Sequence, residues 1–250
     1  MSINVAEKAP LPLVIGKLFK SFGARTILHD FTLNLGADEN VVILGKSGAG
    51  KSVLFKCIIG LLLPDSGSIK VFGDEVVGIG DHELDKVRAR VGFLFQGNAL
   101  YDSMSVRENL EFPLRRHWIK CGPKEIDDMV MEALENVGLA NTVDMMPDEL
   151  SGGMQKRIAL ARTMILKPSI ILYDEPTTGL DPVTARDIDR LIVDLQKKYH
   201  TSSLIISHDM ACVKNTADRV VLLLDGSIYT EGSFASLETS QDENIKQFFE

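Results

Sequence analysis

The sequence predicts an α/β fold with a mainly parallel sheet, and two observations favour it. Five short apolar runs typical of buried strands lie at residues 41–44, 91–95, 170–173, 204–206 and 220–224. Helical patterns separate several of these runs, at residues 51–60, 153–166 and 184–199. An alternation of strands and helices is typical of a parallel sheet with helices packed on its faces.

Two regions depart from this alternation. Residues 13–19 and 31–35 read as short alternating strands, which predicts a small antiparallel piece before the parallel sheet. Residues 97–167 show no strand pattern, so we expect them to be helical, with breaks at Pro113, Pro123 and Pro147.

These patterns predict one domain over residues 1–250, built from two parts. Residues 1–96 and 168–250 would form the α/β core together with an N-terminal antiparallel β subdomain. Residues 97–167 would form an inserted α-helical subdomain. Near the end of the core, the pair Asp225-Gly226 predicts a two-residue hairpin turn between the run 220–224 and the residues that follow it.

Composition narrows the class of protein. The 250 residues are 45% hydrophobic and 25% charged, which is an ordinary globular balance. A formal net charge of −8 speaks against nucleic acid as a partner, because such binding depends on lysine and arginine. The three cysteines are scattered and unpaired in sequence, which favours a reducing compartment over a disulfide framework or a zinc site. No apolar run approaches the ~18 residues of a membrane span.

The termini add two expectations. The first residues show neither a basic region nor a long apolar region, so we expect no secretion signal and a cytosolic chain. We also expect no regulatory domain after Phe249.

The stretch GKSGAGKS at residues 45–52, here called the glycine loop, stands between a predicted strand and a predicted helix. It fits the pattern G-x-x-x-x-G-K-[ST], in which glycines turn backbone N–H groups toward phosphate oxygens at a helix N-terminus. In this pattern Lys51 reaches the β- and γ-phosphates, and Ser52 is a ligand for Mg²⁺. A glycine-rich turn without a ligand is the alternative. The candidate nucleotide-binding residues are Gly45, Lys46, Ser47, Gly48, Ala49, Gly50, Lys51, Ser52 and Val53.

Two carboxylates end the apolar run in the stretch IILYDEP. Asp174 is placed to hold the shell of a Mg²⁺ ion, and Glu175 is placed to orient and polarise an attacking water. The alternative is a solvated turn closed by Pro176. The glycine loop upstream favours the first interpretation, because the two motifs together supply both halves of a nucleotide site.

The stretch LSGGMQKR at residues 150–157 predicts a second anion site. Ser151 is a good helix N-cap, and Gly152 and Gly153 leave the first N–H groups of the helix accessible. A capped helix with unusual glycines is the alternative. The stretch resembles the signature of ATP-binding-cassette (ABC) ATPases, and the resemblance extends over most of the chain. It implies that the signature residues Ser151, Gly152, Gly153 and Met154 contact the γ-phosphate bound by a second copy of the chain. Many family members have glutamine where this sequence has Met154.

The resemblance implies roles for further residues, together with a P-loop NTPase (RecA-like) core, ATP and Mg²⁺ as ligands, and ATP hydrolysis. Phe22 would stack on adenine, and Asp181 would lie in the loop that crosses the dimer. His208 would act as the switch at the γ-phosphate, and Gln96 would contact the metal and sense the membrane partner. The implied catalytic residues are Glu175, His208, Gln96 and Lys51, and the implied metal ligands are Ser52, Gln96 and Asp174.

The run YDSMSVRENLEFPLRRHW after Gln96 is similar to the MlaF-like group, the ATPases of MCE-type phospholipid transport. This likeness implies an ATP-dependent homodimer, peripheral on the cytoplasmic face of the inner membrane. Its partners would be an integral membrane permease (MlaE-like), docked through residues 98–118, and an MCE-domain protein in the same complex. Two alternatives stay open. One is the ATPase of a small-solute importer. The other is a soluble ABC ATPase outside transport, although that class typically carries a long coiled-coil insertion, zinc knuckles or tandem cassettes.

Overall fold

Two β-sheets organise the chain, and a computed structural model describes residues 10–116 and 121–249 of it. The strands in chain order are β1 (Leu13–Phe22), β2 (Arg25–Leu35), β3 (Asn40–Gly45), β4 (Ser66–Val71), β5 (Asp74–Glu75), β6 (Val91–Leu94), β7 (Ile170–Asp174), β8 (Ser202–Ile206), β9 (Arg219–Leu224) and β10 (Ser227–Gly232). One sheet is antiparallel, with the order β2-β1-β4-β5. The other has the order β10-β9-β3-β8-β7-β6 and is parallel except at its β9–β10 hairpin.

Helices pack against the larger sheet and against one another. In chain order they are α1 (Lys51–Ile58), α2 (Asp81–Arg90), α3 (Val106–Arg116), α4 (Pro123–Asn136), α5 (Gly152–Met164), α6 (Pro182–Tyr199), α7 (Met210–Thr216), α8 (Phe234–Glu238) and α9 (Glu243–Lys246). No helix in the described ranges combines the length and the apolarity needed to cross a membrane.

The larger sheet is buried on both faces, as the side chains of β3 illustrate. Successive side chains of a strand point to opposite faces. Val41 and Ile43 join an apolar cluster with α1, α2 and the antiparallel sheet, whereas Val42 and Leu44 join a second cluster with α5, α6 and α7. A strand covered on both faces reads as a continuous apolar run, which is why the sequence predicted these strands. A third apolar cluster is formed mainly by α3, α4 and α5.

Most predicted elements are confirmed. All five predicted core strands are present, the N-terminal strands are antiparallel, and the Asp225-Gly226 turn joins β9 to β10. Within the described parts of residues 97–167 the structure contains helices and no strand. The predicted breaks at Pro123 and Pro147 are confirmed, because Pro123 begins α4 and Pro147 begins a short 3₁₀ helix (Pro147–Glu149).

The predicted break at Pro113 is wrong, because α3 continues through this residue. Proline removes one backbone hydrogen bond from a helix, and tertiary packing can offset that loss. Val106, Leu110 and Leu114 are fully or almost fully buried along α3, so the apolar face on both sides of Pro113 stays packed.

The sequence prediction also missed β4, β5 and α2. In α2 only Leu84 and Val87 are buried, so the helix lacks the wide apolar stripe that marks a helix in sequence. In β4 only Ile69 and Val71 are buried. Short, polar elements of this kind are held by their neighbours more than by their own pattern.

The parallel pairing places three strand ends side by side. Ile43 of β3 and Asp174 of β7 both pair with Ile206 of β8. The chain segments that leave these strands therefore start at one edge of the sheet. In open α/β sheets this edge, at the carboxyl ends of the strands, is where ligands bind.

The hairpin turn provides a test of this fold. Gly226 has a φ of 80°, and a Cβ atom there would lie 2.4 Å from the backbone oxygen of Ile27. Gly78 has a similar φ of 76°, but a Cβ atom there would meet nothing within 4 Å. We expect Gly78→Ala to lower the free energy of unfolding by about 1 kcal/mol, which is the cost of the left-handed backbone alone. Gly226→Ala should lower it by roughly 2–4 kcal/mol, because a steric clash adds to that cost.

Equilibrium unfolding in urea measures both variants. Equal losses for Gly226→Ala and Gly78→Ala would contradict the close approach of the hairpin to β2.

Candidate functional site

The glycine loop runs from the end of β3 into α1, and its backbone conformation requires glycine. Gly48 and Gly50 have φ values of 80° and 102°, in the left-handed region. A Cβ atom on Gly50 would also lie 2.9 Å from the backbone oxygen of Ile27. No side chain within residues 10–116 and 121–249 caps the N-terminus of α1. The first N–H groups of this helix are therefore available to an anion, which the helix dipole favours.

Lys51 folds back over the loop. Its Nζ atom donates to the backbone oxygens of Gly45 and Lys46, at 2.5 and 3.1 Å. Burial lowers the pKa of Lys51, and the charges of Glu175 and Asp174 oppose this shift. The lysine thus stands as a half-buried cation between the loop and two carboxylates, which suits a phosphate group.

Asp174 ends β7 at the floor of the same cleft. Burial raises the pKa of its carboxyl group, and the negative charge of Glu175 adds to this effect. A hydrogen bond with Ser52 and the charge of Lys51 act in the opposite direction. A carboxylate held in this state gains from a nearby cation, because a cation offsets the cost of its burial.

Glu175 and His208 form a pair at the edge of the sheet. The Nδ1 atom of His208 lies 2.8 Å from Oε2 of Glu175, and the hydroxyl of Thr178 donates to the same carboxylate oxygen at 3.2 Å. The backbone N–H of Glu175 donates to the oxygen of Ile206, although Glu175 itself has a left-handed φ of 52°. Backbone strain of this kind is often found at functional sites. His208 is 69% exposed, whereas Glu175 is 12% exposed, so the histidine is the member open to a ligand.

A cleft of about 780 Å³ brings most of the predicted residues together. Its volume lies in the range of small-molecule and cofactor sites. The predicted residues that line it are Phe22, Gly45, Lys46, Ser47, Gly48, Gly50, Lys51, Ser52, Val53, Gln96, Asp174, Glu175 and His208. Ala49 lines an adjoining cleft of about 400 Å³.

The aromatic ring of Phe22 stands at one side of this cleft and is 51% exposed. An exposed phenylalanine is unfavourable in water unless a ligand covers it. The ammonium of Lys20 lies 5.4 Å from the centre of the ring. The exposed part of the Phe22 ring is an apolar surface that a flat ligand can contact.

Several lining residues were not predicted from the sequence. Arg25 and Ile27 come from β2, Met210 from α7, and Gln247 and Phe248 from the segment after α9. Arg25 could have been predicted as a lining residue, because it is a cation three positions after the predicted aromatic Phe22. Gln247 and Phe248 carry no local signal, because only the tertiary fold brings the end of the chain to this cleft.

The signature residues lie outside the cleft of their own chain. The side chain of Ser151 accepts a hydrogen bond from the backbone N–H of Met154 at 3.3 Å, and thus caps α5. Gly152 is exposed, and a Cβ atom there would meet no described atom within 4 Å. A Cβ atom on Gly153 would lie 2.6 Å from Cγ2 of Thr184. Within one chain these residues cap and begin α5, and they do not line the cleft that contains the glycine loop.

Asp181 is likewise a helix cap in the single chain. Its carboxylate accepts from the backbone N–H groups of Val183 and Thr184 at 3.0 and 3.1 Å. The hydroxyl of Thr184 also donates to this carboxylate, and that hydrogen bond is the largest cause that keeps the pKa of Asp181 below its usual value. The backbone hydrogen bonds lower the pKa further. Val183, next to it, is 65% exposed, which leaves an apolar side chain at the surface beside the cap.

The donor set in the cleft suits a hard divalent cation. The described residues contain no group of three or more His, Cys, Asp or Glu side chains that could hold a metal on their own. Ser52, Gln96 and Asp174 do offer side-chain oxygen atoms in one cleft. Mg²⁺ usually binds through one or two carboxylates, further oxygen ligands and the phosphates of a substrate. The residues present therefore fit Mg²⁺ bound together with a nucleotide.

Comparisons with known proteins agree with this geometry. Residues 28–178 match the family described as ABC transporter. The "probable ribonucleotide transport ATP-binding protein mkl" of Mycobacterium leprae is 42% identical over 231 residues, which are 92% of this chain and 66% of that protein. The chain thus spans just under two thirds of the length of this relative.

Two further comparisons bear on the family. The "intermembrane phospholipid transport system ATP-binding protein MlaF" of Haemophilus influenzae is 38% identical over 226 residues, which are 90% of this chain and 85% of that protein. The solved dimeric structure of a bacterial ABC transporter cassette superposes with a TM-score of 0.82 at 29% identity, over 89% of this chain and 98% of that one. These comparisons confirm the predicted fold class and the predicted likeness to MlaF. The chain belongs to the ABC transporter family and is one of its ATP-binding cassettes.

Proposed function

We propose that this chain is the ATP-hydrolysing subunit of an ABC transporter that moves phospholipids. One observation carries the proposal: the glycine loop, Asp174 and the Glu175–His208 pair meet in one cleft at the edge of the parallel sheet. Phosphoryl transfer depends mainly on positioning and on charge stabilisation, and this cleft supplies both.

ATP would lie between Phe22 and the glycine loop. The exposed ring of Phe22 offers an apolar surface to the adenine, and the free N–H groups at the start of α1 offer donors to the phosphates. Lys51 would turn from the carbonyl groups of the loop toward the β- and γ-phosphates. Ser52, Gln96 and Asp174 would hold Mg²⁺, which neutralises charge on the phosphate oxygens when bound.

Glu175 would act as the base that orients and activates water. Its carboxylate is mostly buried and is oriented by Thr178 and His208. His208 would stabilise the charge that develops on the γ-phosphate, because its ring is exposed on the cleft side.

A second copy of the chain would complete the site. Ser151 caps α5, a helix of 13 residues that begins with Gly152, Gly153 and Met154, and these four residues lie outside the cleft of their own chain. A helix N-terminus that begins with an exposed glycine, here Gly152, is suited to bind an anion carried by a partner. Asp181 and the exposed Val183 would lie in the same contact between copies. The dimeric cassette structure with a TM-score of 0.82 supports this arrangement.

Phospholipid is the substrate that the relatives favour. MlaF is named for intermembrane phospholipid transport, and the predicted likeness of residues 101–118 to the MlaF-like group points the same way. The name of the mycobacterial relative mentions ribonucleotides, so a small polar solute is the second candidate. In either case the chain would lie peripherally on the cytoplasmic face of the inner membrane, bound to a permease, which for phospholipid would be MlaE-like. An MCE-domain protein would belong to the same complex.

The permease would dock on the surface that begins after Gln96. Tyr101 is 42% exposed and packs on Phe112, with 4.8 Å between ring centres. Residues 117 and 118 of the predicted docking surface lie outside the described residues. Arg107 is held in an ion pair with Asp127 at 2.6 Å, so it bridges α3 and α4 and is a poorer probe of docking than Tyr101.

The role of Glu175 can be tested with Glu175→Gln. The amide keeps the size of the side chain but cannot accept a proton, so we expect the ATPase rate to fall at least ~100-fold while ATP binding stays close to wild type. The control is Glu238→Gln, which removes an exposed carboxylate at the end of α8 and should leave both unchanged. Steady-state phosphate release and equilibrium binding of a fluorescent ATP analogue measure the two quantities. A variant that retains most of the wild-type rate would exclude Glu175 as the base.

The substrate and the docking surface can be tested together in proteoliposomes. The transporter is purified with its permease, and transfer of labelled phospholipid is measured beside uptake of a labelled ribonucleotide. We expect ATP-dependent movement of phospholipid only. Movement of the ribonucleotide alone would contradict the lipid assignment and would leave the ATPase assignment intact.

In the same system, Tyr101→Ala should reduce association with the permease and lipid transfer, while ATPase activity of the free subunit stays near wild type. Tyr229→Ala is the matched control, because Tyr229 is 44% exposed on β10 and lies on no predicted docking surface. Equal association for the two variants would exclude Tyr101 from the docking surface.

A further inference from the structure

Lys156 is a buried lysine that the proposed reaction does not use. It lies in α5, five residues after Ser151, and is 2% exposed. Burying an ammonium group is costly unless the charge is paired and hydrogen-bonded. Among the described residues, its one hydrogen-bond partner is the backbone oxygen of Gln96, at 3.0 Å from Nζ. One hydrogen bond offsets only part of the cost of burying this charge, so we expect Lys156 to have a role beyond packing.

The same helix holds the segment after Gln96 at two more points. The guanidinium group of Arg162 donates to the backbone oxygens of Asn98 and Ala99, at 3.1 and 2.8 Å. Asn98 and Ala99 have left-handed φ values of 59° and 52°, which cost free energy in residues other than glycine. Arg162 therefore binds both residues of this segment whose backbone is left-handed.

The two cations hold different parts of that segment. Arg162 binds Asn98 and Ala99, which lie beyond the cleft lining, whereas Lys156 binds Gln96, which lines the cleft. Burial lowers the pKa of Lys156, and the carboxylate of Asp174 opposes that shift. The charge of Lys156 thus interacts with one proposed metal ligand, Asp174, and its ammonium group donates to the backbone oxygen of another, Gln96.

We propose that Lys156 is a positioning residue that fixes Gln96 to helix α5 and thereby sets how strongly the cleft binds Mg²⁺ together with ATP. The inference rests on the proposed function, since it concerns the same cleft. Ser151 caps the helix that carries Lys156, so a displacement of α5 by a partner's nucleotide would act on Gln96 directly through the Lys156 side chain. Partners that orient a metal ligand from behind typically change metal affinity by 10–100-fold when they are removed.

The test compares Lys156→Met with Lys156→Arg. Methionine keeps the apolar stem and removes the charge and the donor, whereas arginine keeps both. The measured quantity is the affinity for a fluorescent ATP analogue in excess Mg²⁺ and in EDTA, and the ratio of the two affinities reports the contribution of the metal. Lys124→Met, which replaces an exposed lysine at the start of α4, is the control.

We expect Lys156→Met to reduce this ratio roughly tenfold and to leave the affinity in EDTA near wild type. Lys156→Arg should restore most of the ratio, and Lys124→Met should not change it. The melting temperature of Lys156→Met should stay close to wild type, because the loss of one hydrogen bond is offset by removal of a buried charge.

Two results would overturn the inference. One is a wild-type ratio in Lys156→Met. The other is an equal loss of affinity with and without Mg²⁺ that Lys156→Arg does not restore, since that pattern describes a structural role. If wild-type protein itself shows no gain in affinity from Mg²⁺, the proposed metal site fails instead, so the two failures are distinguishable.

Discussion

The parallel pairing of β3, β8 and β7 is the constraint on which the site depends. Ile43 and Asp174 pair with the same residue, Ile206, so the chain leaves these strands at one edge of the sheet. The glycine loop, the Glu175 carboxylate and the His208 ring each follow one of these strand ends. A shift of one residue in either pairing would exchange the side chains of a strand between the two apolar clusters and would displace these groups relative to one another. The core thus fixes the geometry of the site, and the loops only complete it.

The same edge of the sheet concentrates unfavourable features. Asp174 is a partly buried carboxylate with a raised pKa, Glu175 has a left-handed backbone, and Lys51 has a lowered pKa. Each costs free energy in the nucleotide-free chain. A bound anion and a divalent cation would compensate the charges of Lys51 and Asp174 in opposite senses. A site whose charges and backbone are unfavourable without a ligand gains the most free energy when the ligand binds. The buried ammonium group of Lys156 is a further unfavourable charge, and it lies on α5, the helix that Ser151 caps.

The sequence predicted those parts of the site that depend on local pattern. Lys51 and Asp174 stand directly beside continuous apolar runs, and strand ends in a parallel sheet meet at one edge. Gln247 and Phe248 could not be predicted, because their approach to the cleft depends on how the last helices pack. The α2 helix was missed since only two of its side chains are buried, and Pro113 was misjudged because burial of α3 outweighs one lost hydrogen bond. The roles of Ser151 and Asp181 came from resemblance, and in the single chain both are helix caps.

We propose that one chain carries two halves of different sites. The cleft would provide the loop and Lys51 for its own nucleotide, and the N-terminus of α5 would provide Ser151 for the nucleotide of a second copy. The most direct measurement is sedimentation velocity with ATP on Lys51→Ala, on Ser151→Arg and on their equimolar mixture. Each variant alone should remain monomeric, whereas the mixture should form dimers, because a mixed pair has one intact loop facing one intact signature. A mixture that stays monomeric, under conditions where the wild-type chain forms dimers with ATP, would contradict the shared site.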